Sequence, residues 1–169
     1  MKNSKIEICF IGNAIVDIFS NVSYQILDDL GISKGSMQLV DEELSDKILE
    51  HIQVSKIISG GSAANTAVGF NSFGGKCSFI GQIGNDKLGD LFLKDIKGSG
   101  ILFKYKDFKV KEKTSKSIVL ITPDAERSMN TFIGASNKFN INSFDDQLIT
   151  NSNMIYIEGY LFDQVDAKE

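Results

Sequence analysis

The most informative stretch of the chain is residues 58–84, ISGGSAANTAVGFNSFGGKCSFIGQIG. It begins as an apolar strand and breaks at Gly60-Gly61. A helix-like run follows, a second glycine pair closes it, and a strand resumes at Cys77–Ile83. This order predicts a strand, a glycine turn, a helix and a strand, which is typical of a βαβ crossover in a parallel sheet.

The start of the predicted helix is a candidate binding site. Two glycines let backbone N–H groups approach a ligand closely. Ser62 is predicted to be the N-cap, and Asn65 follows one turn later. A helix start formed by Gly60, Gly61, Ser62 and Asn65 suits the hydroxyls of a sugar or an anion.

Ordered motifs along nearly the whole chain carry a family resemblance. They are GGSAAN at 60–65, IGQIGND at 80–86, LGD at 88–90, ICFIGNAIVD at 8–17, KGSMQLVDEE at 34–43, AERSMNTFIGAS at 125–136 and YIEGYLFD at 156–163. Together they resemble the N-terminal portion of the ribokinase-like (PfkB) family of carbohydrate and nucleoside kinases. The adenosine-kinase-like branch is the most similar.

The resemblance implies an α/β fold of Rossmann-like ribokinase type. We expect three αβα layers, incomplete at the C-terminal side, with a small β-sheet lid. Residues 1–169 would then be the N-terminal part of a single kinase domain. The lid segments would be approximately 17–22, 36–40, 55–59 and part of 101–133.

Asp17 and Asn13 are the first candidate substrate-binding residues. They follow the predicted strand Ile6–Ile11. From spacing alone, Asp17 is more simply interpreted as a solvated acid at a strand edge. The resemblance implies instead that Asp17 accepts hydrogen bonds from two sugar hydroxyls and that Asn13 makes a second contact. Each charge-assisted hydrogen bond would contribute about 1.5–3 kcal/mol.

Arg127 and Glu158 are the remaining candidates. Arg127 follows the turn at Pro123-Asp124 and is either a solvated turn residue or, by resemblance, a phosphate contact. Glu158 ends the predicted buried strand Asn153–Ile157. Strand ends form the ligand-binding edge of an α/β sheet, and the resemblance implies a sugar contact there.

The chain lacks the family motifs for phosphoryl transfer. These are the GAGD-type motif with its general base and anion hole, the Asn-x-x-Glu motif tied to Mg²⁺, and the adenine pocket; residues 70–77, FNSFGGKC, do not form a Walker A loop. ATP and Mg²⁺ are implied for the full-length enzyme, and no motif here binds them. We therefore expect an acceptor-binding part of a kinase, inactive alone, with an open apolar sheet edge. The alternative is a non-catalytic binding remnant or a subunit of a split gene.

Composition narrows the possible partners. The net charge is −4 and 42% of the 169 residues are hydrophobic, so neither nucleic acid nor a membrane is an expected partner. We predict a cytoplasmic protein that binds a small sugar or nucleoside, with adenosine, ribose and fructose all open. It would form a homodimer or pair with a C-terminal half.

No metal site is expected from the sequence. His51 is the only histidine, and Asp86 and Asp90 are interpreted as acids at a helix N-terminus.

Overall fold

The strands of the chain form two separate sheets. The structure is a computed structural model that describes residues 6–103, 110–140, 143 and 145–163. The elements in chain order are β1 (Ile6–Ile11), β2 (Ile15–Asn21), α1 (Tyr24–Leu30), β3 (Met37–Leu39), α2 (Glu42–Glu50), β4 (Lys56–Gly60), α3 (Ser62–Ser72), β5 (Cys77–Ile80), α4 (Lys87–Gly98), β6 (Leu102–Phe103), β7 (Ser115–Ile121), β8 (Arg127–Phe132), α5 (Asp146–Thr150) and β9 (Ser152–Ile157). Short 3-10 turns lie at Gly134–Lys138 and Gly159–Asp163.

The first sheet is parallel and has the strand order β6-β5-β1-β9. One face packs against α3 and α4, with Phe10, Phe79 and Phe92 at the centre of the contact. The opposite face packs against α5, with Cys9 and Leu148 among the buried side chains. Because strands covered on both faces need apolar residues at successive positions, IEICFI and CSFI are mostly apolar, and Glu7 and Ser78 are their only polar residues. The predicted αβα layering is confirmed.

The second sheet is mixed and has the order β3-β8-β7-β2-β4. Its strands alternate, so one face carries Ile118 and Leu120 against Leu27 of α1 and Ile48 of α2. The other face of this sheet borders a cavity. Its strands overlap the expected lid segments, but β2 begins earlier, at Ile15, and β4 ends later, at Gly60. The bounds of the lid segments stay a prediction. Residues Leu102–Phe103 pair with β5 of the first sheet, and residues 104–109 lie outside the described part of the chain.

The predicted βαβ crossover is wrong in one respect. β4 does not belong to the same sheet as β5, because it pairs antiparallel with β2, where Ile15 lies opposite Gly60. The helix α3 therefore leads from the second sheet to the first. A short apolar run predicts a strand but does not indicate which strand it pairs with. The sequence of residues 58–84 was therefore compatible with a single sheet.

The strand predicted to be buried at 153–157 is exposed. β9 pairs with β1 on one side and is the outermost strand of the sheet in the described residues. Met154 is 61% exposed, and Ile155, Tyr156 and Ile157 are also exposed. β9 has the composition of an inner strand and the position of an edge strand, so the described chain has the open apolar edge that the sequence leads us to expect.

Candidate functional site

A cavity of about 340 Å³ lies between the carboxyl ends of β1 and β9, the start of α3 and the uncovered face of the second sheet. Several of the residues predicted from sequence meet in it. Its lining comprises Asn13, Ile15, Asp17, Met37, Leu39, Gly61, Ser62, Ser117, Met129, Thr131, Ile133, Asn137, Glu158, Tyr160 and Asp163. The cavity has a polar side, which we call the floor (Asn13, Asp17, Gly61, Ser62 and Glu158), and an apolar side, which we call the wall (Met37, Leu39 and Met129).

Asp17 occupies the middle of β2 and faces the cavity. Its carboxyl group is half-buried, and this burial raises its pKa above the ordinary value. Among the described residues, none forms a hydrogen bond or an ion pair with this carboxyl group. Gly60 lies beside it, and a Cβ added there would overlap the Asp17 carboxyl group. Gly60 is not part of the lining and instead leaves the space that Asp17 occupies.

Gly61 fixes the position of the helix start. Its φ of 94° lies in the region that favours glycine, and an added Cβ would overlap the backbone oxygen of Asn13. Gly61, not Ser62, is the N-cap of α3, and Ser62 is the first helical residue. An N-cap hydroxyl would accept a hydrogen bond from a backbone N–H of the helix. The Ser62 hydroxyl instead donates to Glu158.

Glu158 takes over the capping of α3. Its carboxyl group accepts hydrogen bonds from Asn13 N at 2.6 Å, Ser62 Oγ at 2.5 Å and Ala63 N at 3.0 Å. The side chain is only 3% exposed. A Cβ at Gly12 would lie 2.6 Å from the same carboxyl group, so glycine at position 12 makes room for it. The sequence indicates Glu158 as a sugar contact but contains no signal for these three partners.

The wall comes from neighbouring strands of the second sheet. Met37 and Met129 are paired in register across β3 and β8, and they are 51% and 39% exposed. Leu39 is 67% exposed beside them. Between floor and wall, the buried hydroxyls of Ser117 and Thr131 lie 3.0 Å apart and bond to each other. Sequence analysis missed Ser117 and Thr131, because only the register of β7 and β8 places them beside Asp17.

Two predicted site residues lie away from the cavity. Asn65 is on the exposed face of α3 and lines a separate shallow groove with Lys94 and Asp95 of α4. The helix buries its Ala63, Ala64 and Ala67 side, so Asn65 points away from the packed face. Arg127 is exposed at the beginning of β8 and is not part of the lining.

The described residues offer no cluster of three or more His, Cys, Asp or Glu side chains that would hold a metal ion. Asp86 is a helix cap, as expected, because its carboxyl group accepts from Gly89 N at 2.8 Å and Thr114 N at 2.7 Å. Within the same described ranges, no helix has the length and apolar character needed to cross a membrane.

Comparison with known proteins adds an independent observation. The profile of the pfkB family carbohydrate kinases matches residues 30–169. The chain belongs to this family. The pfkB-family assignment agrees with the sequence motifs and with the two-sheet architecture.

Two solved structures share both fold and sequence with the chain. An adenosine kinase from Sinorhizobium meliloti is 36% identical with a TM-score of 0.87, and a probable sugar kinase from Rhizobium etli CFN 42 is 37% identical with a TM-score of 0.88. Each comparison covers 98% of this chain and 50% of the other. An adenosine kinase from Dictyostelium discoideum is 26% identical over an alignment of 166 positions that covers 93% of this chain and 48% of that protein. This pfkB-family chain thus spans about half the length of these relatives.

Proposed function

We propose that the chain binds the acceptor, a sugar or a nucleoside, of an ATP-dependent kinase. The observation that supports this proposal best is the Asp17 carboxyl group. It is half-buried, faces a cavity and has no partner among the described residues. A half-buried carboxyl group without protein donors is suited to accept hydrogen bonds from a ligand, because desolvation alone would be unfavourable.

The geometry of the cavity suits a ligand with a polar and an apolar side. Two adjacent hydroxyls would donate to the Asp17 carboxyl group, and Asn13 would supply a further polar contact. The backbone at Gly61 and Ser62 would limit how deeply the sugar ring enters the floor. A base or the apolar face of a sugar would pack on the wall. Held in this way, one hydroxyl is oriented for attack on a phosphoryl group, and orientation is the main catalytic contribution in such transfers.

ATP as the phosphoryl donor is part of the same proposal. The residues that the structure describes offer no magnesium site of their own. We propose that a further structural element, from the same polypeptide, from a C-terminal half or from a second copy, covers the β9 edge. That element would supply the groups that stabilise the transferred phosphoryl group. Arg127 as a phosphate contact and a cytoplasmic location remain predictions of this proposal.

Adenosine is the acceptor that we propose first. The support is the 36% identity to the Sinorhizobium meliloti protein, described as an adenosine kinase. The Rhizobium etli protein is equally similar and is described as a probable sugar kinase. Ribose and fructose are therefore the comparison ligands in the test.

A thermal-shift titration with adenosine, ribose and fructose tests the proposal. We expect one ligand to raise the melting temperature of the chain and Asp17→Ala to abolish that rise. Loss of two charge-assisted hydrogen bonds would weaken binding by about 3–6 kcal/mol. Asp28→Ala, which removes an exposed carboxyl group from α1, should bind like the wild type. If all three ligands leave the melting temperature of the folded wild-type chain unchanged, the acceptor site is not formed.

The acceptor-binding part of the proposal has a second test. We expect the purified 169-residue chain to show no ATP-dependent phosphorylation of the ligand that binds. Detectable turnover would show that the chain carries its own transfer machinery.

A further inference from the structure

We infer that Glu158 is a positioning residue, which holds the floor of the cavity in shape without itself binding the acceptor. This inference rests on the proposed function, because it concerns how the same cavity is kept ready for its ligand. It differs from the sugar contact that the sequence suggests for this position.

Glu158 joins two elements that form the floor. One carboxyl oxygen, Oε1, accepts from Asn13 N in the loop between β1 and β2. The other, Oε2, accepts from Ser62 Oγ and Ala63 N at the start of α3. These partners lie 145, 96 and 95 residues away in the sequence. A single side chain therefore sets the distance between the loop and the helix.

The carboxyl groups of Glu158 and Asp17 have different surroundings. Both carboxyl groups border the cavity, but only Glu158 is fully buried and engaged by protein donors on both oxygens. Asp17 is half-buried and has no such donor among the described residues. A carboxyl group that already accepts three hydrogen bonds gains little from a ligand hydroxyl, whereas an unengaged one gains a full interaction.

Glu158 also connects the floor to β9, the edge strand of the first sheet in the described residues. Glu158 follows directly after β9, and its backbone N donates to Ile11 O at 3.1 Å. The carboxyl end of the exposed strand is thus tied to the carboxyl end of β1 and, through the side chain, to α3. The shape of the floor consequently depends on β9 keeping its place on the sheet.

Amide hydrogen exchange of the full chain without any ligand tests the inference. Glu158→Gln keeps the size of the side chain but offers one acceptor oxygen in place of two. Asn13 N–H and Ala63 N–H can then no longer both be accepted, so at least one should exchange ten times faster or more. Ser62→Ala removes one donor and leaves both amides their acceptors, so it serves as the nearby control with near-wild-type exchange. Glu50→Gln, an exposed change at the end of α2, controls for the lost charge.

Wild-type protection of both amides in folded Glu158→Gln would overturn the inference. If that variant does not fold, Glu158→Asp replaces it, because a shorter side chain withdraws from both amides while it keeps the charge. We again expect tenfold faster exchange, and unchanged protection would again overturn the inference.

Ligand binding separates positioning from direct contact. If Glu158 is a positioning residue, its substitution should lower the affinity for every ligand that binds the wild type by the same factor, because all of them use the same floor. A contact residue would weaken only ligands that carry a hydroxyl in reach of it and would leave the exchange of Asn13 and Ala63 unchanged. If none of the three ligands binds, the proposed function fails, yet the exchange measurement still decides the role of Glu158.

Discussion

The floor and the wall of the cavity are held in place in different ways. Apart from Asp17 in the middle of β2, the floor is formed by the residues after β1, the start of α3 and the side chain of Glu158, and short distances leave its backbone little freedom. The wall is formed by three large side chains on neighbouring strands, all of them substantially exposed. The floor is fixed by backbone geometry, whereas the wall depends on side chains that have room to move.

This difference indicates that the floor and the wall interact with different parts of a ligand. Polar groups that orient a hydroxyl need a fixed geometry, since displacement of about 1 Å weakens positioning strongly. Apolar side chains that cover a ring need only area and adaptability, and methionine supplies both. Changes to the floor should therefore have large and specific effects, and changes to the wall should have small effects that depend on the ligand.

The largest expected effect comes from Gly61→Ala. Because the φ of Gly61 is 94° and an added Cβ would overlap Asn13 O, the free energy of unfolding should fall by about 2–4 kcal/mol. Gly69→Ala is the matched control, since a Cβ added at that helical position meets no atom within 4 Å. It should stabilise the chain by about 0.5–1 kcal/mol. Urea unfolding of both variants measures the difference, and equal stabilities would show that the floor is not rigid.

The second prediction concerns the pH dependence of Asp17. Burial raises the pKa of this carboxyl group above its ordinary value of 3.8. In the unfolded chain Asp17 titrates at its ordinary pKa, and in the folded chain at the raised pKa. Between these two values the folded chain binds more protons than the unfolded chain, so the contribution of Asp17 to stability falls as pH rises through that window. Asp17→Asn removes this contribution, and the variant should be more stable than the wild type at pH 7 and no more stable below the ordinary pKa.

Urea unfolding across a pH series, with Asp28→Asn as the control, measures this effect. The affinity of the wild type for the acceptor should rise with pH over the same window, because protonation of Asp17 removes the charged form that accepts two hydrogen bonds. Asp17→Asn that is less stable than the wild type at pH 7 would show that the folded chain stabilises the charged carboxyl group.

Much of the floor was predictable because its signals are local. Asn13 follows the end of β1 and Gly61 precedes the first residue of α3, and residue type at such positions is tied to backbone geometry. The same holds for Asp86, which the sequence predicts to be an acid at a helix start and which caps α4 in the structure. Local propensity and periodicity contain this information without any knowledge of strand partners.

The rest of the site depends on contacts between distant residues. Nothing near Ala63 indicates that Glu158 accepts its N–H from 95 residues away. The wall requires the register that pairs Met37 with Met129. The sheet to which β4 belongs is likewise a matter of pairing. Periodicity predicts the type of an element but not its neighbour, so these features follow only from the structure.

The third prediction tests the wall. Met37→Ala should weaken adenosine binding by about 1 kcal/mol, roughly fivefold, because part of the apolar cover of the base is lost. Ribose binding should weaken much less, since a sugar without a base covers a smaller part of the wall. Met154→Ala removes an exposed methionine from β9 and is the matched control. A similar loss for ribose and adenosine in Met37→Ala would show that the wall supports the floor and does not contact the base.

The smallest effect on folding is expected at the other exposed apolar surface, the β9 edge. Met154→Lys should change the free energy of unfolding by less than about 0.5 kcal/mol, because an exposed side chain loses little packing. A lysine on an edge strand disfavours pairing with another strand, so self-association measured by sedimentation at rising concentration should decrease. Met154→Ala should give an intermediate result, since it removes apolar area without adding charge. Unlike the wall residues, Met154 is not part of the cavity lining, so adenosine should leave this association unchanged. Dissociation caused by adenosine would instead show that the edge and the cavity respond together, through the link that Glu158 provides between β9 and α3.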